Sequence, residues 1–492
     1  MTALAAPVAE TPPAAAPRPG AGGYRLGVAL IAGAGLAARL VLLGRQPISR
    51  DEAFTAVVAR RSWAGMLDGV RHDSAPPLSY LLDHLATTFS SSPSLLRLPS
   101  ALAGAAAIPV AAALGRRLGG DRAGLGAAAA CAALPSLLIP ARDARMYALA
   151  ATLVMAVTLV LWRALERPDR GRLAVLSGVV AASLLSHYLA AVALAAAVVA
   201  GAVVLPHRRA LPRVLLAVGL GCLPLALWLP LAHAQAANAG QGFWASNLGP
   251  APTLGIVTQL LAGPGVDQAL PQHTLLVVAQ GFSLLGASLA GAAVLLGIAR
   301  PVVSGWRGGW YLAAAGLGGI GLLCLISLRS PIWDARYASV LWPPLVPLLG
   351  LGLARLRALA VLPVAAMATA GLLMAFLQTR PDVDSVAAEL RGRVGPGDVV
   401  LATPDTYLQL LAAGDAATVA RTHVPAPSVD WFWGVAAYPP GALMPVPPAS
   451  ARRVRVVTAE GDALPDLPQD LARTSHGCAG LVCIDVFERG QR

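Results

Sequence analysis

The sequence contains no lysine, and only 13% of its 492 residues are charged. A typical soluble protein carries about 25% charged residues, so about half of the usual solvating charge is missing. Hydrophobic residues make up 56% of the chain, and the mean hydropathy is +0.65. These values exclude a soluble globular enzyme, a disordered chain and a coiled coil. Because the hydrophobic blocks are longer than a buried helix or strand needs, they predict a polytopic membrane protein.

Aromatic residues are also few, at 5% of the chain, which disfavours a base-stacking surface. The net charge of +12 comes from 37 basic residues, all of them arginine, against 25 acidic residues. In a membrane protein such an excess is typical of loops on the cytoplasmic side. We therefore expect membrane lipids as partners and no nucleic acid.

Cysteine is scarce as well, with five residues in the chain. Cys131, Cys222 and Cys324 lie inside hydrophobic blocks, where a free cysteine behaves as a small hydrophobic residue. Cys478 and Cys483 flank a short polar segment near the carboxyl terminus. They would form a disulfide in an oxidising compartment and remain two free thiols in a reducing one, and the sequence leaves both open.

The hydrophobic blocks predict about eleven transmembrane helices. Residues 1–23 are rich in Ala, Pro and Gly and predict a disordered cytoplasmic tail, and the run 26–44 predicts an uncleaved first span. The polar segment 45–93, called the first loop below, is expected to be external and long enough for amphipathic helices. Further hydrophobic blocks lie near residues 97–114, 123–140, 145–162, 173–205, 214–232, 274–299, 309–328, 337–354 and 359–378.

The block 173–205 decides the topology. Its 33 residues fall between the roughly 20 that one membrane helix needs and the roughly 34 that two need. Two helices, separated near His187, would put the arginine clusters of the later loops on one side of the membrane. This choice predicts a multi-pass protein of the cytoplasmic (inner) membrane, with its amino terminus inside and its carboxyl terminus outside.

The composition changes after Arg380. Short β-like runs occur at residues 398–401, 454–457 and 481–484, and a helix-like stretch lies at 383–393. These features predict a small extracytoplasmic α/β domain over residues 380–492, following an all-α membrane domain over residues 24–379.

Three polar clusters, at 49–54 with 72–80, at 142–147 and at 329–337, lie at predicted external helix ends. Charged groups near the membrane are costly and generally have a partner or a function. Asp51 and Glu52 could supply a general base and a second group that orients substrate or binds a divalent cation. Charged residues at a membrane boundary are also ordinary, so their spacing alone does not establish catalysis.

Several motifs together resemble the polytopic glycosyltransferases of the C superfamily (GT-C), specifically the family of protein O-mannosyltransferases and bacterial aminoarabinose transferases (family 39). The resemblance covers residues 26–165 well, and the rest only through topology and an Arg-Tyr pair. The motifs are Asp-Glu-Ala-Phe at 51–54, Pro-Pro-Leu at 76–78, Leu-Arg-Leu-Pro-Ser-Ala-Leu-Ala-Gly at 96–104, Gly-Arg-Arg-Leu at 115–118, Ala-Arg-Met-Tyr-Ala-Leu at 144–149 and Arg-Tyr at 336–337.

This resemblance implies transfer of a sugar, mannose or another, from a polyprenyl-phosphate donor to a glycan, lipid or protein acceptor, with inversion. Asp51 would be the general base beside Glu52, and Asp143 a second acidic site residue. Substrate-binding candidates are Arg145, Tyr147 and Arg336, which would face the lipid phosphate, together with Tyr337, His72 and Asp73. No cofactor is certain, and a divalent cation at Glu52 or Asp143 stays open.

One departure from the family pattern affects the first loop. Relatives commonly have His-Pro-Pro, whereas Ala75 precedes the two prolines here, and His72 would replace that histidine only if the loop shifts. The alternative functions are a lipid or glycan flippase or transporter, and a non-catalytic subunit with the same fold. In the carboxyl-terminal region, His423, Asp430 and the aromatic triplet 431–433 are weaker candidates for stacking on a glycan acceptor.

Overall fold

The computed structural model describes residues 21–239, 245–265, 272–298, 306–377, 380–426, 438 and 441–490. Asp430 and the triplet 431–433 lie outside the described residues, as do residues 1–20 of the predicted tail. The helices up to the sheet are α1 (Ala21–Leu40), α2 (Arg50–Ala59), α3 (Trp63–Val70), α4 (Leu78–Thr87), α5 (Pro93–Ala133), α6 (Pro135–Leu138), α7 (Tyr147–Glu166), α8 (Arg170–Ser186), α9 (Ala190–Val204), α10 (Leu211–Ala239), α11 (Pro250–Ala262), α12 (His273–Ile298), α13 (Arg307–Ser327), α14 (Ala335–Leu341), α15 (Val346–Leu356), α16 (Val361–Leu377) and α17 (Val383–Leu390).

Six apolar stretches of the described chain are long enough to cross a membrane, which makes the protein a multi-pass membrane protein. They are Pro93–Ala133, Tyr147–Glu166, Arg208–Ala236, His273–Leu295, Arg307–Ser327 and Pro343–Leu377. The first stretch contains two helical segments that meet at Gly119 and Gly120, and the last contains α15 and α16. The block 173–205 forms α8 and α9 on either side of His187, as the two-helix interpretation predicted. The total of eleven membrane helices and their orientation stay predictions.

The first loop contains three helices, α2, α3 and α4, rather than irregular chain. Ser49 begins α2 with a capping box, because its side chain accepts a hydrogen bond from the Glu52 backbone while the Glu52 side chain accepts one from the Ser49 backbone. Ser62 and Ser92 are the N-caps of α3 and α5. The side chain of each accepts a hydrogen bond from a backbone N–H in the first turn of its helix. These caps fix where the loop helices start, and so fix the direction of their first side chains.

The carboxyl-terminal part forms a five-stranded mixed sheet with two accompanying helices. The strands are β1 (Asp398–Ala402), β2 (Thr422–His423), β3 (Arg453–Ala459), β4 (Leu471–Ala479) and β5 (Val482–Arg489), and the helices are α18 (Pro404–Ala413) and α19 (Ala416–Val419). Their order in the sheet is β2-β1-β3-β5-β4, with β1 parallel to both neighbours and the β3, β5 and β4 pairs antiparallel. Cys478 and Cys483 face each other across β4 and β5 and form a disulfide.

The sheet domain packs on the first loop. Phe54 and Val58 of α2 share one buried hydrophobic cluster with Tyr407 and Leu408 of α18. In the same contact, the Gln409 side-chain amide donates a hydrogen bond to the Ile48 carbonyl at 2.7 Å. The carboxyl-terminal domain is therefore placed directly above the start of α2.

Within the membrane domain, α5 and α15 approach each other through small residues. A Cβ atom added at Gly350 would lie 2.2 Å from the Ala127 backbone nitrogen, and one added at Gly126 would lie 2.3 Å from the Gly350 carbonyl oxygen. In a membrane, where helices lose little by contacting lipid, such close backbone contact is a main source of helix association.

This contact predicts that Gly350→Ala destabilises the protein by about 1–3 kcal/mol, because the backbone of α5 must move to admit the methyl group. The matched control is Gly321→Ala in α13, where an added Cβ meets no atom within 4 Å. Thermal unfolding in detergent measures both. Equal midpoints for the two variants would show that the close approach of α5 and α15 does not limit stability.

Candidate active site

A cavity of about 870 Å³ lies where the first loop, two helix starts and the segment after α16 meet. Its charged and aromatic lining comes from distant parts of the chain: Arg50, Asp51, Asp143, Arg145, Tyr147, Asp334, Arg336 and Arg380. A second cavity, of about 800 Å³, is lined by Arg122 and Arg357 among apolar residues and has no acidic residue in its lining. Only the first of these two cavities therefore combines carboxylates with arginines.

Asp51 lies in the first turn of α2 and faces this cavity. Its side chain is 31% exposed, and its Oδ2 accepts a hydrogen bond from Nη1 of Arg336 at 2.9 Å. Arg336 lies in the first turn of α14, just after its N-cap Asp334. The first turn of α2 thus carries the candidate base Asp51, and the first turn of α14 carries the arginine that pairs with it. Asp51 is thus an accessible carboxylate with one charged partner.

Glu52, the next residue, has the opposite environment. It is fully buried, does not line the cavity, and accepts hydrogen bonds from the backbone of Ser49 at 3.0 Å and of Ala144 at 2.9 Å. Arg97 donates to both of its carboxylate oxygens, at 2.6 and 2.8 Å, and Arg380 donates to Oε2 at 2.6 Å. Glu52 therefore joins α2, α5, the turn before α7 and the segment after α16.

These partners decide the protonation of Glu52. Burial is the largest influence and disfavours the charged carboxylate, but Arg380 and Arg97 together outweigh it and hold the pKa of Glu52 at about 2. Arg97 is itself fixed by the carbonyls of Leu43 and Gln46, which its Nη1 contacts at 2.8 and 2.9 Å. The ionised Glu52 thus anchors the chain between α1 and α2.

Asp143 accepts a hydrogen bond from the same guanidinium that contacts Glu52. Nη2 of Arg380 donates to Asp143 Oδ1 at 2.5 Å. Desolvation raises the pKa of Asp143, Arg380 opposes this rise, and the nearby Glu52 carboxylate adds to it. Asp143 lines the cavity whereas Glu52 does not, so one guanidinium connects a buried carboxylate to an accessible one. The Arg380 guanidinium therefore lies between Glu52 and Asp143, the two acids at which the sequence left a divalent cation open.

Arg145 lies on the cavity wall and is held by the first loop. Its Nη1 donates to Thr55 Oγ1 and to the Tyr80 hydroxyl, both at 3.3 Å. Tyr80 in turn donates to Asp73 Oδ2 at 2.5 Å. The buried Nε of Arg145 has no hydrogen-bond partner among the described residues.

The remaining predicted residues lie around this centre. Tyr147 lines the cavity, and its ring is 5.7 Å from that of His187, which lies 6.0 Å from the Tyr337 ring. Burial and the neighbouring Arg145 lower the pKa of His187 to about 4, so it is neutral at pH 7. His72 and Tyr337 are not part of the cavity lining, and the His72 ring contacts the Asp68 carbonyl. Asp73 is linked to Arg145 through the Tyr80 hydroxyl.

Sequence reasoning missed Arg380, Arg97 and Tyr80. Arg97 lies in the motif at 96–104, and Arg380 lies where the composition changes. Neither pattern shows what these two arginines contact. For the two arginines a signal existed, because an arginine at a membrane boundary needs an anionic partner. His423, a weaker candidate, lies apart on β2 with its ring against the Gly441 carbonyl.

Comparisons with known proteins bear on the family resemblance and the fold. The sequence model of the family described as dolichyl-phosphate-mannose-protein mannosyltransferase matches residues 73–233. No curated protein sequence matches the chain.

Solved structures with the same fold include the crystal structure of ArnT from Cupriavidus metallidurans in the apo state. It has 15% sequence identity and a TM-score of 0.63, and the match covers 93% of this chain and 97% of that one. The same protein bound to undecaprenyl phosphate gives a TM-score of 0.61 at 15% identity, with 95% and 98% covered. The Archaeoglobus fulgidus oligosaccharyltransferase in complex with Zn and sulfate gives 0.51 at 12% identity, with 88% and 68% covered.

The predicted fold class and the predicted resemblance to GT-C glycosyltransferases are thereby confirmed. The chain has an ArnT-like fold, in which a helical membrane domain is followed by a small sheet domain.

The Glu52 contacts predict the behaviour of Glu52→Gln. Removing this charge leaves Arg97 and Arg380 without their shared anion, which we expect to cost about 3–5 kcal/mol of stability at neutral pH. Because the pKa of Glu52 is about 2 in the folded chain and about 4.3 when unfolded, its contribution is complete above about pH 4.3. It is lost as the pH falls towards 2.

Thermal unfolding of the wild type and Glu52→Gln across pH 3–7 checks this, with a difference that narrows on acidification. Glu389→Gln is the matched control, since Glu389 is 52% exposed and pairs only with Arg393 one turn away. If Glu52→Gln unfolds like Glu389→Gln at pH 7, Glu52 does not anchor the site.

Proposed function

We propose that the protein is a glycosyltransferase that moves a sugar, mannose or another, from a polyprenyl-phosphate donor to a hydroxyl of an extracytoplasmic glycan, lipid or protein. The observation that carries this proposal is the cavity in which accessible Asp51 pairs with Arg336 and in which Arg145 and Arg380 line the same space. The ArnT-like fold supports it, since the structure of ArnT was solved with undecaprenyl phosphate bound.

In this proposal Asp51 is the general base. The acceptor hydroxyl attacks the anomeric carbon, its proton passes to the Asp51 carboxylate, and the bond between that carbon and the phosphate oxygen breaks. The polyprenyl phosphate leaves with the electron pair, and the anomeric configuration inverts because attack and departure take place on opposite faces. Such general-base assistance is typically worth about 10²–10⁴ in rate.

The arginines stabilise the phosphate as it gathers charge. Arg145 and Arg336 both line the cavity, and the Arg336 side chain is half exposed there. A planar guanidinium can contact two phosphate oxygens at once, which suits a leaving group that becomes more negative. When the donor phosphate contacts Arg336, it shares the cation that holds Asp51, and this brings base and leaving group to one place.

The other predicted residues take supporting roles in this proposal. Glu52 positions Asp51 and Arg380 rather than contacting substrate, because it is buried behind the cavity wall. Asp143, which is accessible, acts with Arg380 on the acceptor or the sugar. Asp73 orients Arg145 through Tyr80. Tyr147 contacts the donor. The His187 ring lies next to the Tyr147 ring, and Tyr337 packs edge-on against His187.

The first test is transfer of radiolabelled sugar from a panel of polyprenyl-phosphate sugars by the purified protein. We expect Asp51→Asn to lower the transfer rate by about 10²–10⁴ with the thermal midpoint preserved, since Asn keeps the shape and removes the basic oxygen. Asp68→Asn, an exposed carboxylate of the same loop at 61% exposure, serves as control and should transfer normally.

Full activity of Asp51→Asn would remove Asp51 from the mechanism even though the reaction class held. Absence of transfer from every donor in the panel, with the wild-type protein folded, would favour a flippase or a non-catalytic subunit instead.

A second test concerns the phosphate. Arg336→Lys keeps the charge but removes the planar fork, so we expect the KM for the donor to rise about tenfold, corresponding to about 1.4 kcal/mol. Arg329→Lys, an exposed arginine of the same turn, is the matched control. Equal donor KM values for the two variants would contradict a phosphate contact at Arg336.

A further inference from the structure

The β4–β5 hairpin carries a cluster of side chains that the active site does not use. Cys478 and Cys483 are cross-strand partners, and His476 is the partner of Asp485 two rungs away, beyond the Gly477–Ile484 pair. On β4, His476 and Cys478 are two residues apart and therefore point to the same face. The sequence His-Gly-Cys before the turn and Cys-Ile-Asp after it thus places two sulfur atoms, one imidazole and one carboxylate together.

Three potential metal ligands lie close together on this face of the hairpin. One ligand atom from each of His476, Cys478 and Cys483 lies within 4.8 Å of the others, and His476 Nε2 is 3.5 Å from Cys478 Sγ. Two ligands of a tetrahedral zinc ion lie about 3.5 Å apart, because Zn–S is about 2.3 Å and Zn–N about 2.0 Å. Once the disulfide is reduced and its two sulfur atoms separate, all three atoms are close enough to contact one ion.

Asp485 completes the arrangement from behind. Its Oδ1 contacts His476 Nδ1 at 2.8 Å, which leaves Nε2 facing the sulfur atoms. Metal-binding histidines almost always have such a partner on their second nitrogen, because it fixes the ring and the tautomer. Asp485 is buried and is also paired with Arg473, whereas the His476 side chain is 50% exposed and open to an ion from solvent.

We propose that the reduced hairpin binds one zinc ion through His476, Cys478 and Cys483, with Asp485 orienting the imidazole, and that the disulfide is the metal-free form of the same site. A dithiol or a phosphine reduces the disulfide to two thiols and is itself oxidised, the dithiol to a disulfide and the phosphine, with water, to a phosphine oxide. Zinc then displaces their two protons and binds both sulfurs and Nε2. Oxidation by another disulfide reverses the sequence, rejoins the sulfurs and expels the ion. Three protein ligands leave a fourth position for water.

This proposal is independent of glycosyl transfer, because its residues are separate from the lining of the 870 Å³ cavity. The full-length protein in detergent, with Cys131, Cys222 and Cys324 changed to Ala, is reduced with a phosphine and titrated anaerobically with Co²⁺ and then Zn²⁺. We expect one Co²⁺ per chain with thiolate charge-transfer and strong tetrahedral d–d absorption, which Zn²⁺ displaces. The oxidised protein should show neither band.

Two variants distinguish binding by the full proposed site from binding by the two thiols without His476 and Asp485. His476→Ala should weaken Co²⁺ binding at least tenfold, and Asp485→Asn about 10–100-fold, as found for second-sphere partners. His423→Ala, a histidine of the same domain whose ring contacts Gly441, is the control and should bind normally. The proposal is overturned by a reduced protein without these bands, by equal binding in the oxidised protein, or by His476→Ala binding as tightly as the control.

Discussion

The site depends on one buried carboxylate. Glu52 accepts hydrogen bonds from Arg97 on α5, from Arg380 beyond the last membrane helix, and from the backbone of the turns at Ser49 and Ala144. An ionised group in such a place is stable only while its cations stay in position, because an unpaired buried charge costs several kcal/mol. The elements that converge on the cavity are thus tied to each other through this side chain.

This constraint separates two neighbouring acids into different roles. The capping box of α2 turns Glu52 inwards, and the helix then directs Asp51 towards the cavity and Arg336. The same division recurs at Arg380, which contacts buried Glu52 with one arm and accessible Asp143 with the other. The buried ion pair of Glu52 with Arg380 fixes the positions of the elements around the cavity, whereas the accessible carboxylates of Asp51 and Asp143 line the cavity itself. Because Arg380 begins the segment that leads to the sheet, the position of the carboxyl-terminal domain is linked to the charge arrangement at the site.

The sequence was sufficient for the fold class and for the polar clusters, since hydrophobic length and arginine distribution are strong signals in membrane proteins. It was also sufficient for β1, β3 and β5, which coincide with the short β-like runs at 398–401, 454–457 and 481–484. β4 could not be predicted from the sequence because its side chains are mostly polar and exposed. It is a strand because it pairs with β5. The link between Glu52 and Arg380 spans 328 positions, and no local pattern predicts a contact at that distance. The partition of roles between Asp51 and Glu52 likewise needed the helix cap and the packing around it.

The second cavity offers a competing position for an anionic lipid, since Arg122 and Arg357 line it. The most direct measurement is therefore a structure of the protein with a polyprenyl-phosphate sugar whose glycosidic oxygen is replaced by a methylene group. We expect its phosphate within about 3 Å of Arg145 or Arg336, with the anomeric carbon facing Asp51. A headgroup bound between Arg122 and Arg357, with the Asp51 cavity empty of lipid, would contradict the assignment of the site.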